Sequence, residues 1–181
     1  MTIKIRSSCF IHLTTSKMVP KLGDLPYIAY VDTPLGHLKL TYDQTNILDL
    51  RFHNTTLDNL HKIINNQVFK DFKSQISKYF DRKLKSFELS VSPRGTAFQM
   101  NVWRELQQIP FGEVVSYSQL AIRLGGKEKT RAVATAIARN PILILIPCHR
   151  VIGADGGLTG FSGGIDRKKA LLELESNRMD F

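Results

Sequence analysis

The sequence predicts an α/β (α+β) fold, in which a small amino-terminal domain with an antiparallel sheet precedes a mostly helical carboxy-terminal domain containing a helix-turn-helix. Two observations predict this fold. Three short runs, at residues 27–32, 37–43 and 47–53, have strand-like composition. Beyond residue 95 the apolar residues recur at helical spacing, and the pair Gly125-Gly126 separates two helical segments. The length of 181 residues is sufficient for one domain or for two small ones.

Turn-forming residues separate the elements of the amino-terminal half. Pro34-Leu35-Gly36 and Gln44-Thr45-Asn46 lie between the strand-like runs and are typical of hairpin turns. Two helical faces follow, Leu57, Leu60 and Ile64 in the first, and Phe69, Phe72, Ile76 and Phe80 in the second. Residues 87–91 are a candidate further strand, and residues 92–95 resemble a linker. We therefore expect a leader at residues 1–24 and two domains, over 25–92 and 93–181.

Capping signals mark the helices of the carboxy-terminal half. Thr96 with Gln99, and Ser116 with Gln119, have the spacing of a capping box, in which the two side chains satisfy free backbone donors. Asn140-Pro141 ends the last of these helical segments. The predicted helices cover residues 96–109, 117–124 and 130–139.

The helix at residues 130–139 carries small side chains on almost every side. Its alanines, Ala132 among them, permit close approach of the backbone to another surface, and Arg131 and Arg139 lie near its ends. That surface is either another helix in a core or a nucleic acid. A net charge of +9, from 25 Lys and Arg against 16 Asp and Glu, suits a polyanionic partner, although a basic enzyme without such a partner has the same composition.

One apolar run leads directly into candidate reactive residues. Residues 142–146 predict a buried strand or extended segment, and Pro147-Cys148-His149-Arg150-Val151 follows. The thiolate is the reactive form of cysteine, and a neighbouring base raises its population. Because adjacent side chains diverge, we expect His149 to act on the thiol through a bridging water. A cysteine that only packs in the core is the alternative for so short a motif.

Further motifs surround this segment in a fixed order. They are Phe98-Gln99, Ile109-Pro110-Phe111-Gly112-Glu113, Ser116-Tyr117, Arg131-Ala132-Val133, Asn140-Pro141 and Gly160-Phe161-Ser162-Gly163-Gly164. Over residues 95–176 the arrangement resembles the O6-alkylguanine-DNA alkyltransferases, also called methylated-DNA–protein-cysteine methyltransferases. The amino-terminal half matches more weakly, through Thr33-Pro34-Leu35-Gly36 and Tyr79-Phe80.

The resemblance implies a stoichiometric repair reaction, in which Cys148 displaces guanine from the alkyl group on its O6, with O4-alkylthymine an open second substrate. It implies that a water links Cys148 to His149 and that Glu175 orients the imidazole. Tyr117 and Ser162 would assist the leaving base, and Phe161, where the family often has tyrosine, would form a wall of the pocket. No cofactor or metal is expected, because the lesion itself is the alkyl donor.

The resemblance also implies a duplex DNA partner that carries alkylated bases. Arg131 would fill the space left by a flipped-out nucleotide while its helix lies in the minor groove, where the small Ala132 permits close approach. Arg150 is a further candidate for contact with substrate or DNA, and Asn140 would hold the turn before the cysteine without a chemical role. We expect a monomer without a membrane span, since no apolar run reaches about 18 residues. The expected location is the cytoplasm, or the nucleus in a eukaryotic host.

Each assignment has a plainer alternative. Tyr117 packs at a helix start, Ser162 forms a turn, Arg131 contacts a phosphate, and Glu175 is a solvated charge paired with Lys168 or Lys169. Leu143 replaces a proline of mammalian members, and Cys9 with His12 is insufficient for the zinc site of some relatives. Three rival functions remain open at this level: an alkylated-DNA-binding module without transfer, a transcription regulator, and a thiol hydrolase.

Overall fold

The computed structural model describes residues 26–53 and 66–176. The predicted leader at residues 1–24, the helical face of Leu57, Leu60 and Ile64, and the pair Cys9 and His12 lie outside the described residues. Within the described part, the elements confirm the predicted α/β (α+β) fold class, with a three-stranded antiparallel sheet first and most of the helices after it. No helix found there is both long and apolar enough to span a bilayer.

The amino-terminal sheet has the predicted strands in the order β1 (Tyr27–Thr33), β2 (Gly36–Tyr42) and β3 (Ile47–His53). Ala29 pairs with Leu40, which pairs with Leu50, and all three side chains are fully buried. Alternation therefore gives the sheet one apolar face. The turn at Gly36 has a φ of +109°, a left-handed conformation that glycine adopts without strain.

The helix that follows, α1 (Gln67–Phe80), packs its apolar stripe on this sheet. The side chain of Asn66 caps it by accepting a hydrogen bond from the Phe69 backbone at 3.0 Å. The next predicted element is wrong: residues 87–91 form no strand, and only Val91 makes a bridge, parallel to Ile47. Two backbone hydrogen bonds around Ile47 account for that bridge, and no neighbouring residues extend it.

Four helices organise the carboxy-terminal half. They are α2 (Ala97–Leu106), α3 (Tyr117–Arg123), α4 (Thr130–Ala138) and α5 (Ile165–Glu175). Both predicted capping boxes are present, at Thr96 and at Ser116. Helix α2 ends at Leu106 and not at Ile109, because the chain tightens into turns before Pro110. Two short parallel strands, β4 (Val115–Ser116) and β5 (Val151–Ile152), connect the start of α3 to the segment that follows Cys148.

Helices α3 and α4 form the predicted helix-turn-helix. Gly125 and Gly126 have φ values of +102° and +148°, which explains why glycine occupies the turn. The Lys129 ammonium donates to the Leu124 carbonyl at 3.0 Å and so caps the end of α3. Helix α4 is fixed from behind, where the indole nitrogen of Trp103 donates to the Ala136 carbonyl at 2.9 Å.

The prediction of a strand or extended segment at residues 142–146 is wrong, although most of its side chains are buried as expected. Asn140 accounts for the difference. Its side-chain oxygen accepts from the Ile142 backbone at 3.0 Å, while its amide nitrogen donates to the Ile146 carbonyl at 2.8 Å. Both ends of the run are thereby drawn together, and Ile144 takes a φ of +70°. The compact turn delivers Cys148 into the interior.

Candidate active site

Cys148 is a buried thiol at the start of a 3₁₀ turn, Cys148–Arg150, and is only 3% exposed. The amide of Asn140 donates to Sγ at 3.0 Å. Burial raises the pKa of the thiol from 9.0 to about 11, although the Asn140 hydrogen bond and the nearby Lys168 charge both oppose the rise. At neutral pH the resting side chain is therefore a thiol, and forming the thiolate requires a base.

His149 is a completely buried base beside this thiol. Its Nε2 lies 2.9 Å from Oε1 of Glu175. Burial lowers the pKa of His149, although the Glu175 hydrogen bond and charge oppose the shift, so the ring is neutral at pH 7. An ionised carboxylate only accepts, which puts the ring proton on Nε2 and leaves a lone pair on Nδ1. Within the described residues, that Nδ1 is the one buried side-chain nitrogen or oxygen without a hydrogen-bond partner.

Glu175, on the last turn of α5, is the centre of a buried polar network. Arg150 donates to both carboxylate oxygens, from Nε at 2.7 Å and from Nη2 at 2.9 Å. The Tyr79 hydroxyl donates to Oε1 at 2.7 Å and the Gly112 backbone to Oε2 at 3.3 Å. Burial acts to raise the pKa of Glu175, but the hydrogen bonds from His149 and Arg150 outweigh it and hold the pKa well below its usual range.

The network corrects two expectations. Arg150 is 7% exposed, and its remaining nitrogen Nη1 donates to the Ile109 carbonyl at 2.6 Å. This placement argues against its contact with DNA, because the guanidinium is already engaged inside the protein. Asn140 is 1% exposed, so its side chain too lies inside the protein. Its hydrogen bond to Sγ gives it a direct influence on the nucleophile, in addition to the expected role in holding the turn.

A buried lysine, Lys168, lies on the other side of the cysteine segment. Its ammonium donates to the carbonyls of Val151 at 2.6 Å and Thr159 at 2.8 Å. Burial lowers its pKa from 10.5 to about 8, while the nearby Cys148 opposes that shift. Lys168 therefore ties the cysteine segment to the loop that follows it, and it supplies positive charge near the sulfur.

Tyr117 and Arg131 lie at an open cavity of about 610 Å³ between α4 and Thr159-Gly160. The Tyr117 hydroxyl donates to the Thr159 carbonyl at 3.0 Å. Burial raises the pKa of this phenol and outweighs the opposing effect of the hydrogen bond with Thr159, so the hydroxyl keeps its proton. Arg131 and Ala132 are exposed on the outer face of α4. The structure thus places Arg131 and Tyr117 on one cavity.

The active-site loop, residues 159–164, carries Phe161 and Ser162. The Phe161 ring meets the His149 ring edge to face, with 6.4 Å between centroids and 77° between planes. Ser162 is exposed on this loop. Across the described residues, no group of three or more His, Cys, Asp and Glu side chains is arranged to hold a metal ion.

Sequence reasoning missed Tyr79 and Lys168 as parts of the site. Helix α5 buries Lys168, Leu171, Leu172 and Glu175, a stripe with the i, i+3, i+4, i+7 spacing of a core-facing surface. Two charged residues in such a stripe indicate a buried polar network, so the helical spacing in the sequence could have identified Lys168 and Glu175 as buried. The contact of Tyr79 with Glu175 joins residues 96 positions apart, and no local pattern indicates it.

Two family models match the chain. The ribonuclease-like domain of 6-O-methylguanine DNA methyltransferase matches residues 27–93, and the DNA binding domain of the same family matches residues 97–177. A methylated-DNA–protein-cysteine methyltransferase of Methanosarcina barkeri is 40% identical over 160 residues, which is 84% of this chain and 99% of that protein.

Two solved structures are similar to this chain in fold and in sequence. The O6-methylguanine methyltransferase of Mycobacterium tuberculosis has a TM-score of 0.74 and 39% identity, over 85% of this chain and 94% of that one. The M. tuberculosis OGT in complex with DNA has a TM-score of 0.71 and 41% identity, over 81% of this chain and 90% of that one. With both family models matched in order and these levels of identity, the chain belongs to the methylated-DNA–protein-cysteine methyltransferase family.

Proposed function

We propose that the protein repairs alkylated DNA by moving the alkyl group from O6 of guanine onto its own Cys148, one group per molecule. The S–C bond forms as the O6–C bond breaks, and the guanine leaves with the electron pair of that bond. The observation that carries the proposal is the buried arrangement of Cys148, His149 and Glu175, in which the histidine is neutral and oriented by a carboxylate. The similar proteins are named for the same chemistry.

The proton of the thiol moves along this arrangement. Because the pKa of Cys148 is raised to about 11, the thiol must lose its proton as the sulfur attacks. Nδ1 of His149 is the acceptor available to it, through a bridging water, while Glu175 holds Nε2 and stabilises the imidazolium that forms. The departing guanine anion takes up one proton and the imidazolium gives one up, so the thiol proton is in effect passed to guanine and no net charge remains.

The leaving base is assisted from the cavity side. We place the extruded base in the cavity bounded by Tyr117 and Arg131, since an atom stacked inside a duplex is out of reach of a buried thiol. The Tyr117 hydroxyl would turn from the Thr159 carbonyl to the base, and Ser162 and Phe161 would contact the base from the active-site loop.

We propose that α4 enters the minor groove of duplex DNA, with Arg131 in the space of the flipped nucleotide. The exposed face of α4 carries Ala132, Thr135 and Ala138 between Arg131 and Arg139, so its backbone can approach a narrow groove closely. Arg131→Ala should therefore slow repair of duplex DNA far more than reaction with the free base O6-methylguanine. Equal slowing of both reactions would contradict a role in base extrusion.

The remaining proposals concern organisation. We propose a domain boundary near residue 93, which is supported by the two family models that meet between residues 93 and 97. We also propose that the protein acts as a monomer in the cytoplasm, or in the nucleus of a eukaryotic host.

Mass spectrometry of the reacted protein tests the function directly. After incubation with a duplex that contains one O6-methylguanine, we expect a single methyl group on Cys148 and an equal amount of restored guanine. Cys148→Ser should abolish both, whereas Cys9→Ser is the matched control and should leave both intact. Lesion removal by Cys148→Ser, or repeated turnover by an unmodified protein, would refute the proposal.

A further inference from the structure

We propose that Arg167 is a positioning residue, through which the hairpin turn between β1 and β2 fixes the active-site loop for alkyl transfer. The inference rests on the proposed function and assigns a part in it to the amino-terminal half of the chain. The Arg167 guanidinium forms hydrogen bonds to two segments that are distant from each other in sequence. One of these segments is the active-site loop, which carries Phe161 and Ser162.

The hydrogen bonds of Arg167 define the connection. From the first turn of α5, its Nε donates to the Leu35 carbonyl at 2.9 Å and its Nη1 donates to the Gly163 carbonyl at 3.0 Å. Leu35 lies in the hairpin turn, and Gly163 lies in the active-site loop. The hairpin fits closely around the guanidinium, because a Cβ at Gly36 would lie 3.2 Å from Nη2.

Aromatic packing extends the connection to the base His149. The guanidinium carbon of Arg167 lies 4.5 Å from the centroid of the Phe52 ring, on the last part of β3. Two rings crowd Gly163, since a Cβ there would lie 2.9 Å from Phe52 and 2.6 Å from Phe161. Phe161 in turn meets the His149 ring edge to face. A displacement at Arg167 is therefore transmitted to the active-site loop and to the wall of the reactive site.

The active-site loop depends on such side-chain contacts because it has no strand or helix of its own. Gly160 and Gly164 have φ values of +48° and +95°, and the loop turns between them, where the Gly164 backbone donates to the Phe161 carbonyl at 3.0 Å. Lys168 and Tyr117 hold its beginning at Thr159, and Arg167 holds its end at Gly163. Arginine suits this position because a planar fork can bond two carbonyls and stack on a ring at once, which an ammonium cannot do.

The first test compares Arg167→Lys with Lys169→Met in single-turnover transfer from a duplex containing O6-methylguanine. Lys169 is an exposed neighbour on α5 with a long ion pair to Glu173, at 3.8 Å, so its replacement is the control. We expect Arg167→Lys to lower the maximal transfer rate on the order of tenfold, because the loop no longer holds the base in a reactive position. Affinity for undamaged duplex should stay unchanged, and Lys169→Met should match the unaltered protein in both measurements.

Hydrogen exchange separates positioning from general stability. In Arg167→Lys, peptides covering residues 159–164 should exchange faster, whereas peptides from α2, α3 and α4 should exchange as before. Phe52→Leu should accelerate the same peptides to a smaller extent. Faster exchange throughout the chain would show that Arg167 only stabilises the fold, and it would overturn the inference.

Failure of the inference and failure of the proposed function give different results. If the unaltered protein transfers no methyl group, the proposed function fails, and the exchange measurement still decides whether Arg167 fixes the loop. If the unaltered protein transfers normally and Arg167→Lys keeps both its rate and its loop exchange, the inference fails while the function stands.

Discussion

Removing the hydroxyl of Tyr79 is the most specific test of the buried network around Glu175. Tyr79→Phe removes the donor to Oε1 of Glu175 and keeps the ring contacts with Phe80, Phe87 and Phe111. A hydrogen bond to a charged group contributes about 1.5–3 kcal/mol. At about 2–4 °C per kcal/mol for a chain of this size, the melting temperature should fall by about 3–12 °C.

Tyr79→Phe also has a predicted effect on the pH dependence of repair. Without the hydroxyl, more negative charge on Oε1 is available to the His149 ring, which stabilises the imidazolium and raises the pKa of His149. Because transfer needs the neutral ring, the acid limb of the rate–pH profile should move to higher pH. Single-turnover rates between pH 5 and 9 measure this shift.

Tyr27→Phe is the matched control for that experiment. Tyr27 lies in β1, its ring packs on Tyr42, and its hydroxyl makes no hydrogen bond within the described residues. Its replacement should change neither the melting temperature nor the acid limb. If Tyr79→Phe behaves like Tyr27→Phe in both measurements, then the hydroxyl does not support Glu175 and our account of the network is wrong.

Three further predictions concern the same site. Glu175→Gln leaves the Arg150 guanidinium buried without a counter-charge, so it should cost about 3–5 kcal/mol in urea unfolding, and a loss below about 1 kcal/mol would contradict the burial argument. Asn140→Leu removes the donor to Sγ, which should raise the pKa of the Cys148 thiol above about 11 and slow its labelling by iodoacetamide at pH 9. Faster labelling of a protein with an intact fold would refute the role of that hydrogen bond. The raised pKa of Cys148 contributes stability that is fully present below its ordinary value of 9.0 and is lost as pH rises through about 11. Thermal melts at successive pH values should therefore show that Cys148→Ala loses less stability than the unaltered protein over that interval.

The sequence predicts those features that depend on local patterns. The strands, the capping boxes at Thr96 and Ser116, and the helix-turn-helix follow from alternation, helical spacing and glycine turns. The segment at residues 142–146 does not, because five apolar residues in a row fit either a strand or a buried turn. The side chain of Asn140 decides between them by bonding both ends of the run.

The site divides in the same way. Cys148 and His149 are visible as a motif, and Glu175 follows from the family resemblance, while its place on the buried stripe of α5 comes from the structure. Tyr79 and Arg167 are not visible, since each acts on a segment brought near by tertiary packing. A hydroxyl on the buried side of α1 gives no local sign of its partner, and an arginine on α5 resembles any surface charge.

Burial raises the pKa of Cys148, which is unusual for a nucleophile but suits a protein that is used once. Most reactive cysteines have a lowered pKa, which also exposes them to stray electrophiles. A protein that is spent after one transfer gains from a resting thiol that is 3% exposed and protonated, because such a thiol rarely reacts outside the site. His149, Glu175 and the positive charge of Lys168 then lower the barrier to transfer only when an alkylated guanine lies within reach of the sulfur. The surroundings of the thiol thus supply its reactivity at the moment of transfer. Selectivity and activation are in this way separate properties of one buried sulfur.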